Sequence, residues 1–453
     1  MTETAVTERA TAGTAPARKQ VRFAEAFRFW VKLGFINFGG PAGQIAMMHR
    51  ELVDKKQWVS NRLFLRALNF CMILPGPEAQ QLAIYLGWKL HGYLGGIVAG
   101  SFFVIPSFFL LLLLSWLSVE ASGVPAIAGL LYGIQPVVIA IVVDAVIRMG
   151  RRTLRHPLLL GFAVAAFVAI FFLHLIFPFV IGAAALGGLL LQGRYPHVFR
   201  PVRHGPGHSG GGGKPAHEAP VELLEREHPT LGRALRVVGG FLALWWVPLG
   251  ALWLWRGWAD VLTQEMWFFT QAAFVTLGGA YAVLSYMSNV AVNGYQWLTG
   301  AEMVRGLGLA ESTPGPLIIV TEYVGFLAAY KNAGPFPPLL YGTLGALVTV
   351  YATFLPPFLF VFLGAPHSER LWSNRRLQAA LTGVTGAVVG VIANLAAFFG
   401  LRVLFTESGG FDLFAAAVAA GSFLVLRRFN TPTYWLVPVG ALAGMAWVLA
   451  GGR

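Results

Sequence analysis

The chain carries a single cysteine, Cys71, among 453 residues. No intramolecular disulfide framework and no metal site made of cysteines alone can be built from it. Charge is scarce too: 12% of the residues are Asp, Glu, Lys or Arg, against 56% hydrophobic, about half the charged share of a soluble globular protein. Motifs that would mark a catalyst are missing. There is no HExxH, no GxSxG, no Walker sequence and no Cys/His cluster at metal-ligand spacing, which argues against an enzyme and gives no reason to expect a cofactor or metal. Residues 1–20 are Thr- and Ala-rich without an apolar stretch, so they read as a disordered tail rather than a secretory signal.

What the chain has instead is long apolar runs. Those able to cross a bilayer cover 93–119, 124–147, 157–173, 239–255, 337–364 and 376–404, with shorter ones at 176–192, 413–426 and 433–450. With a mean hydropathy of +0.65, the expected protein is an all-α polytopic integral membrane protein whose surroundings are the lipid bilayer. The net charge of +13 does not point to nucleic acid, because the basic residues sit in short loops between apolar runs, where positive charge marks the cytoplasmic side. Residues 196–236, with "RHGPGHSGGGGKPAHE", read as a solvated Gly/His/Pro-rich cytoplasmic linker in preference to a metal site.

The sequence repeats itself. A constant offset of 239 residues pairs Gly39-Gly40 with Gly278-Gly279, Gln57-Trp58 with Gln296-Trp297, and Pro75-Gly76-Pro77 with Pro314-Gly315-Pro316. Beyond "KNAGPFPP" the offset becomes 250 and pairs Asp144 with Asn394. Five segments follow: the tail 1–20, a first repeat 21–195, the linker 196–236, a connecting transmembrane helix 237–258 and a second repeat 259–453. Equivalent loops carry opposite charge bias. Residues 49–65 hold Arg50, Lys55, Lys56 and Arg62, whereas 288–304 hold no Lys or Arg; 148–156 hold four arginines, whereas 119–126 hold none and 369–376 hold Arg370, Arg375 and Arg376. By the positive-inside bias the repeats are inverted relative to each other.

Walking the spans from loop to loop leaves 23–55 and 62–90 starting and ending on the same side. Each is therefore expected to be a re-entrant helical hairpin, with tips at Gly39-Gly40 and Pro75-Gly76-Pro77, so that each repeat has two hairpins and about four transmembrane helices. Arms of about 14 residues reach roughly 21 Å, past the middle of the membrane but not comfortably across it. The expected location is a membrane crossed several times, with the N-terminus cytoplasmic. A homodimer is compatible with this pattern.

Backbone that leaves the helix inside a membrane needs protein or a water-filled cavity to satisfy it. Four breaks, two per repeat and approaching from opposite faces, would meet near the midplane. The proline after each Pro-Gly suits the first turn of a new helix, and glycines would leave the starting amides open to an anion. The alternative is that Gly and Pro merely kink or closely pack helices; repetition in register favours the anion site. Arg66 and Arg305, in register, would hold or steer a tetrahedral dianion through forked hydrogen bonds, or else snorkel to headgroups. Gln44, Gln80, Gln81 and Thr313 lie beside the tips and complete the expected binding set. Glu78, Glu311, Glu322, His49 and Asp144 are proton-coupling candidates, each with a plainer role as a cap, a rim group or, for Asp144, an ion pair with Arg148.

"FGGPAGQIAMMHRELVDKKQWVS", "LPGPEAQQLAIYLGWKLHGYLGG" and "GLGLAESTPGPLIIVTEYVGFLAA" resemble the signatures of the chromate ion transporter family over nearly the whole chain apart from tail and linker. The resemblance implies export of chromate, with sulfate as its structural analogue, and chromate resistance. It puts the motif positions at Gly39, Gly40, Pro41, Pro75, Gly76, Pro77, Gly278, Gly279, Pro314, Gly315 and Pro316. Glu78 departs from the pattern, small or amide residues being commoner there. Expelling a dianion from a negative-inside cell moves two charges with the field, about 2 × 2.3 kcal/mol per 100 mV, so potential-driven or proton-coupled export needs no nucleotide. Sulfate or other oxyanion uptake, and an oxyanion channel, are the alternatives.

Overall fold

The computed structural model describes residues 21–121, 123–199, 230–277, 279–368, 371, 374–405, 410–429 and 431–452. The tail, most of the linker, Arg370 and Gly278 lie outside these residues. The described chain is helical, and five stretches are long and apolar enough to cross a membrane: Glu78–Glu120, Pro125–Thr153, Leu231–Arg256, Pro338–His367 and Arg375–Leu404.

The first half runs through α1 (Phe23–Ile36), α2 (Gly40–His49, continued by the wide turn Arg50–Lys55), α3 (Asn61–Cys71), α4 (Glu78–Phe102), α5 (Ile105–Glu120), α6 (Pro125–Thr153), α7 (Pro157–Phe171) and α8 (Phe177–Leu191). The connecting helix is α9 (Leu231–Arg256). The second half follows the same order with α10 (Val261–Val275), α11 (Ala280–Asn289, with the wide turn Val290–Gly294), α12 (Gly300–Ser312), the single 3₁₀ turn Leu317–Ile319, α13 (Val320–Lys331), α14 (Pro338–Phe354), α15 (Pro356–Gly364), α16 (Arg375–Leu404), α17 (Leu413–Phe429) and α18 (Thr433–Leu449).

Local chemistry sets these boundaries. Ser60 caps α3 by accepting the Leu63 amide at 3.2 Å. Its counterpart Thr299 starts α12 with a reciprocal capping box, Thr299 Oγ1 accepting the Glu302 amide at 3.2 Å while Glu302 accepts the Thr299 amide at 2.7 Å. Gln57 and Gln296 adopt the left-handed backbone at the same place in each half, with φ of 53° and 57°. At the turn after α2, a 2.6 Å hydrogen bond from Lys55 holds the Glu51 carboxyl below its usual range.

Two runs that sequence treats as continuous are broken. The run 93–119 is interrupted at Phe103-Val104 between α4 and α5, and 337–364 at Leu355 between α14 and α15. Proline follows each interruption, Pro106 in α5 and Pro356-Pro357 in α15; a proline ring lacks the donor and crowds the preceding turn. A further break inside α4, at His91-Gly92, marks where its first arm ends.

Packing crosses the halves. One apolar core gathers α1 to α4 and admits Val361 and Phe362 of α15; the larger core gathers the second half and admits α5 and α6. Helix α15 lies on α4, α5 lies on α13, and α6 is flanked by α16, α17 and α18. These exchanges bring chain breaks of one half against breaks of the other.

Candidate functional site

Each break begins where a helix runs out of regular backbone. Helix α1 ends at Asn37, and the chain turns through Gly39 (φ 95°) and Gly40 (φ 65°) before α2 resumes with Pro41 in its first turn. Helix α10 ends at Thr276, and α11 starts after Gly279 (φ 101°). At the other two breaks Gly76 and Gly315 take φ of 118° and 121°, a region that glycine alone enters cheaply.

The four breaks meet in reciprocal pairs. The Gly76 amide donates to the Thr276 carbonyl of the other half at 2.9 Å, and the Gly315 amide donates to the Asn37 carbonyl at 3.2 Å. Gln44 fastens one pair further, its Nε2 donating to Asn37 O at 2.9 Å and to Gly315 O at 2.6 Å. Gln81 braces the other break from within, donating to Pro75 O at 2.6 Å. Gln80 donates to Gly100 O at 3.3 Å.

This geometry corrects the expected donor set. The Gly76 and Gly315 amides are taken by carbonyls, so they are not open to an anion. Amides in the first turns of α2, α4 and α11 have no acceptor within their own helices and carry the positive ends of the helix dipoles. Pro77 and Pro316 stand at the N-cap, one position before the first turn, with extended ψ of 104° and 136°. A cap needs a non-helical ψ, which the fixed proline φ allows. The side-chain oxygens of Asn37, Gln44, Gln80 and Gln81 are buried without a hydrogen-bond partner. They are acceptors, suited to water or a protonated group and not to a bare dianion.

The remaining residues fall into three groups. At the breaks, Glu311 accepts from Tyr281, in the first turn of α11, at 2.8 Å and from Thr433 at 3.3 Å. Thr313 turns inward on its own helix, donating to Ala310 O at 2.9 Å. Glu78 opens α4 half-buried. The charges of two arginines near the end of α6 reach these acids, Arg148 acting on Glu311 and Arg152 on Glu78.

A second group lies one to two turns away. Arg66 is half-buried on α3, and Arg305 stands beside the Tyr323 hydroxyl with its Nε buried and unbonded. Arg305 precedes the end of α12 by seven residues, about 10 Å along the axis. Glu322 is fully buried and accepts from Ser115 at 3.3 Å.

The third group is peripheral. His49 pairs with Asn61 at 2.9 Å and faces Asp54 at 3.4 Å. Asp144 pairs with Arg148 at 2.8 Å and lies 3.8 Å from Arg427.

Sequence reasoning missed Asn37, Thr276 and Tyr281. A signal existed for the first two, which stand two residues before Gly-Gly in both copies.

The chain matches the family model described as "Chromate transporter" over residues 24–189 and 263–445. The "Chromate transport protein" of Pseudomonas aeruginosa is 31% identical over 431 residues, covering 93% of this chain and 92% of that protein. The "Probable chromate transport protein" of Synechococcus elongatus is 28% identical, covering 83% of this chain and 84% of its own length. The "Chromate transport protein" of Cupriavidus metallidurans is 27% identical, covering 91% and 90%. No solved structure matches the chain.

Proposed function

The chain belongs to the chromate transporter family, and from that premise we propose that it exports chromate from the cytoplasm across the bacterial inner membrane by alternating access around the four chain breaks. Two inverted repeats, each entering the membrane with two re-entrant hairpins, supply the breaks from opposite faces. The N-terminus and the linker face the cytoplasm. Substrate binds at Gly39-Gly40-Pro41, Pro75-Gly76-Pro77, Gly279 and Thr313-Pro314-Gly315-Pro316. Gln44, Gln80 and Gln81 hold the backbone, and the amides at the helix starts provide the donors.

One observation carries this reading: the Gly76 to Thr276 and Gly315 to Asn37 hydrogen bonds join each repeat's Pro-Gly-Pro break to the other repeat's Gly-Gly break. In each pair, breaks from opposite halves are thereby held against each other. Backbone bonds between halves are also contacts that a rocking motion can break and remake, as alternating access requires. Arg148 and Arg152, near the cytoplasmic end of α6, favour an anion arriving from that side. Glu311, held by the Tyr281 and Thr433 hydroxyls near the start of α11, opposes an anion there while it is ionised. Its protonation would remove that repulsion.

Uptake of labelled chromate and labelled sulfate into inverted vesicles tests this, with the membrane potential and the pH gradient collapsed separately. Chromate should enter inverted vesicles and respond to the potential; sulfate entering faster than chromate, or flux only into right-side-out vesicles, would move the assignment to sulfate uptake. Counterflow of trapped substrate should be seen, and its absence at high flux would indicate a channel.

Arg66→Gln and Arg305→Gln separate two roles. If the guanidinium groups steer the anion, each variant loses on the order of tenfold in apparent chromate affinity, about 1.4 kcal/mol. Unchanged affinity in both would assign these side chains to headgroups and local packing.

A further inference from the structure

Glu265 lies one turn inside α10, fully buried, and neither of its carboxylate oxygens has a hydrogen-bond partner. Buried carboxylates are costly whether ionised or merely unpaired, so one that persists inside a membrane protein is a functional feature by default. The packing does not require it. At the 239-residue offset the equivalent residue of α1 is Ala26, which is likewise buried.

Glu265 lies against a close helix crossing. Helices α13 and α14 cross on bare backbone, a Cβ on Gly345 falling 2.4 Å from the Gly325 carbonyl and 3.1 Å from Glu265 Oε2. In the first half Gly87 crosses Gly95 in the same way, with no carboxylate at the α1 position. At the start of α10, Asp260 pairs with Arg256 at 2.9 Å and accepts from the Tyr341 hydroxyl at 2.7 Å. Its charge reaches Glu265. At the other end of α10, the Thr276 carbonyl receives the Gly76 amide. One short helix thus carries a water-side acid, a buried acid and a contact of the break.

We infer that Glu265 is a proton-binding site of the transport cycle, loaded from the side where Asp260, Arg256 and Tyr341 lie and separate from the anion site. This rests on the coupled-transport reading above. A proton on Glu265 neutralises the one carboxylate that α10 must carry through the protein interior, so its arrival permits α10 to shift and its departure opposes that shift. The elements packed on α10 present few other titratable or charged groups. Arg256 ends α9, whose other charges, Arg233 and Arg236, lie in its first two turns; Tyr286 lies on α11, Glu322, Tyr323 and Tyr330 on α13, and Tyr341 and Tyr351 on α14; α15 has none. Tyr281 and Lys331 are taken by Glu311 and Glu302. Glu322 already has the Ser115 hydroxyl, which leaves Glu265 as the acid with nothing else to bind.

The test uses the full chain in liposomes with labelled chromate and imposed pH gradients. One coupled proton changes the wild-type accumulation ratio by about tenfold per pH unit. Glu265→Gln should lose that dependence while still exchanging labelled for unlabelled chromate, and Glu265→Asp should regain it. A gradient response that survives in Glu265→Gln, or one absent from the wild type while chromate moves, overturns the inference and leaves chromate transport standing. If wild-type protein moves no chromate, the functional reading falls, and infrared difference spectra after a pH jump decide Glu265 alone. A protonated-carboxyl band that titrates in the wild type and vanishes in Glu265→Gln supports the site; a band unaffected by the substitution overturns it. Should Glu265→Gln fail to purify intact, the band must shift in Glu265→Asp, and an unshifted band overturns the site.

Discussion

Gly315→Ala is expected to reduce chromate transport to less than a tenth of wild type. Gly315 has φ 121°, where a side chain costs on the order of 1–3 kcal/mol. A Cβ there would also fall 2.4 Å from Ser107 Oγ and 2.6 Å from Ser107 Cβ. Ser107 cannot turn away without giving up its 2.7 Å hydrogen bond to Val104 O. Strain and overlap act together where the Gly315 amide meets Asn37 O, so the joint between the halves must shift. Gly334→Ala is the control. It too has positive φ, 57°, but nothing lies within 4 Å of its Cβ position, so it should cost about 1–2 kcal/mol of stability through the backbone alone and leave transport intact. Equal loss in both variants would indicate general destabilisation, and wild-type transport by Gly315→Ala would remove the joint from the mechanism.

Gln44→Leu should have the second largest effect. The side chain is buried, and its Nε2 serves two carbonyls from different halves of the chain, Asn37 O and Gly315 O. Leucine keeps the volume and removes the donor. Gly315 O loses the contact outright, while Asn37 O keeps the Gly315 amide. At about 1–3 kcal/mol for an orphaned buried acceptor, transport should fall at least tenfold with the protein still monodisperse. Gln44→Glu makes the sign testable. An ionised carboxylate donates nothing and repels both carbonyls, whereas a protonated one restores a single O–H donor. Activity of Gln44→Glu relative to wild type should therefore rise as pH falls, while that of Gln44→Leu keeps a constant ratio to wild type. Parallel pH profiles for the two would show that the lost donor is not what limits transport.

The signals that were legible in the sequence are local or periodic. Composition alone specified a helical membrane protein, because a bilayer admits few ways to satisfy a backbone. The 239-residue register located the breaks through Gly-Gly and Pro-Gly-Pro, residues whose backbone preferences are strong enough to read without a fold. The same register held Asn37 with Thr276, two polar residues that attract no notice singly. Their role lies in backbone carbonyls, which every residue has, and composition cannot mark a carbonyl as special.

What tertiary structure decided is which groups are already taken. The Gly76 and Gly315 amides looked open in sequence because their acceptors lie 200 and 278 residues away, at Thr276 and Asn37. Glu265 attracted no attention because nothing in the sequence separates it from a solvated glutamate; only packing removes its water and its partners. A sequence fixes the conformations and donors each residue brings. Whether a donor is free or an acid dry depends on long-range neighbours, and the exchange of α5 and α15 between halves sets those neighbours here.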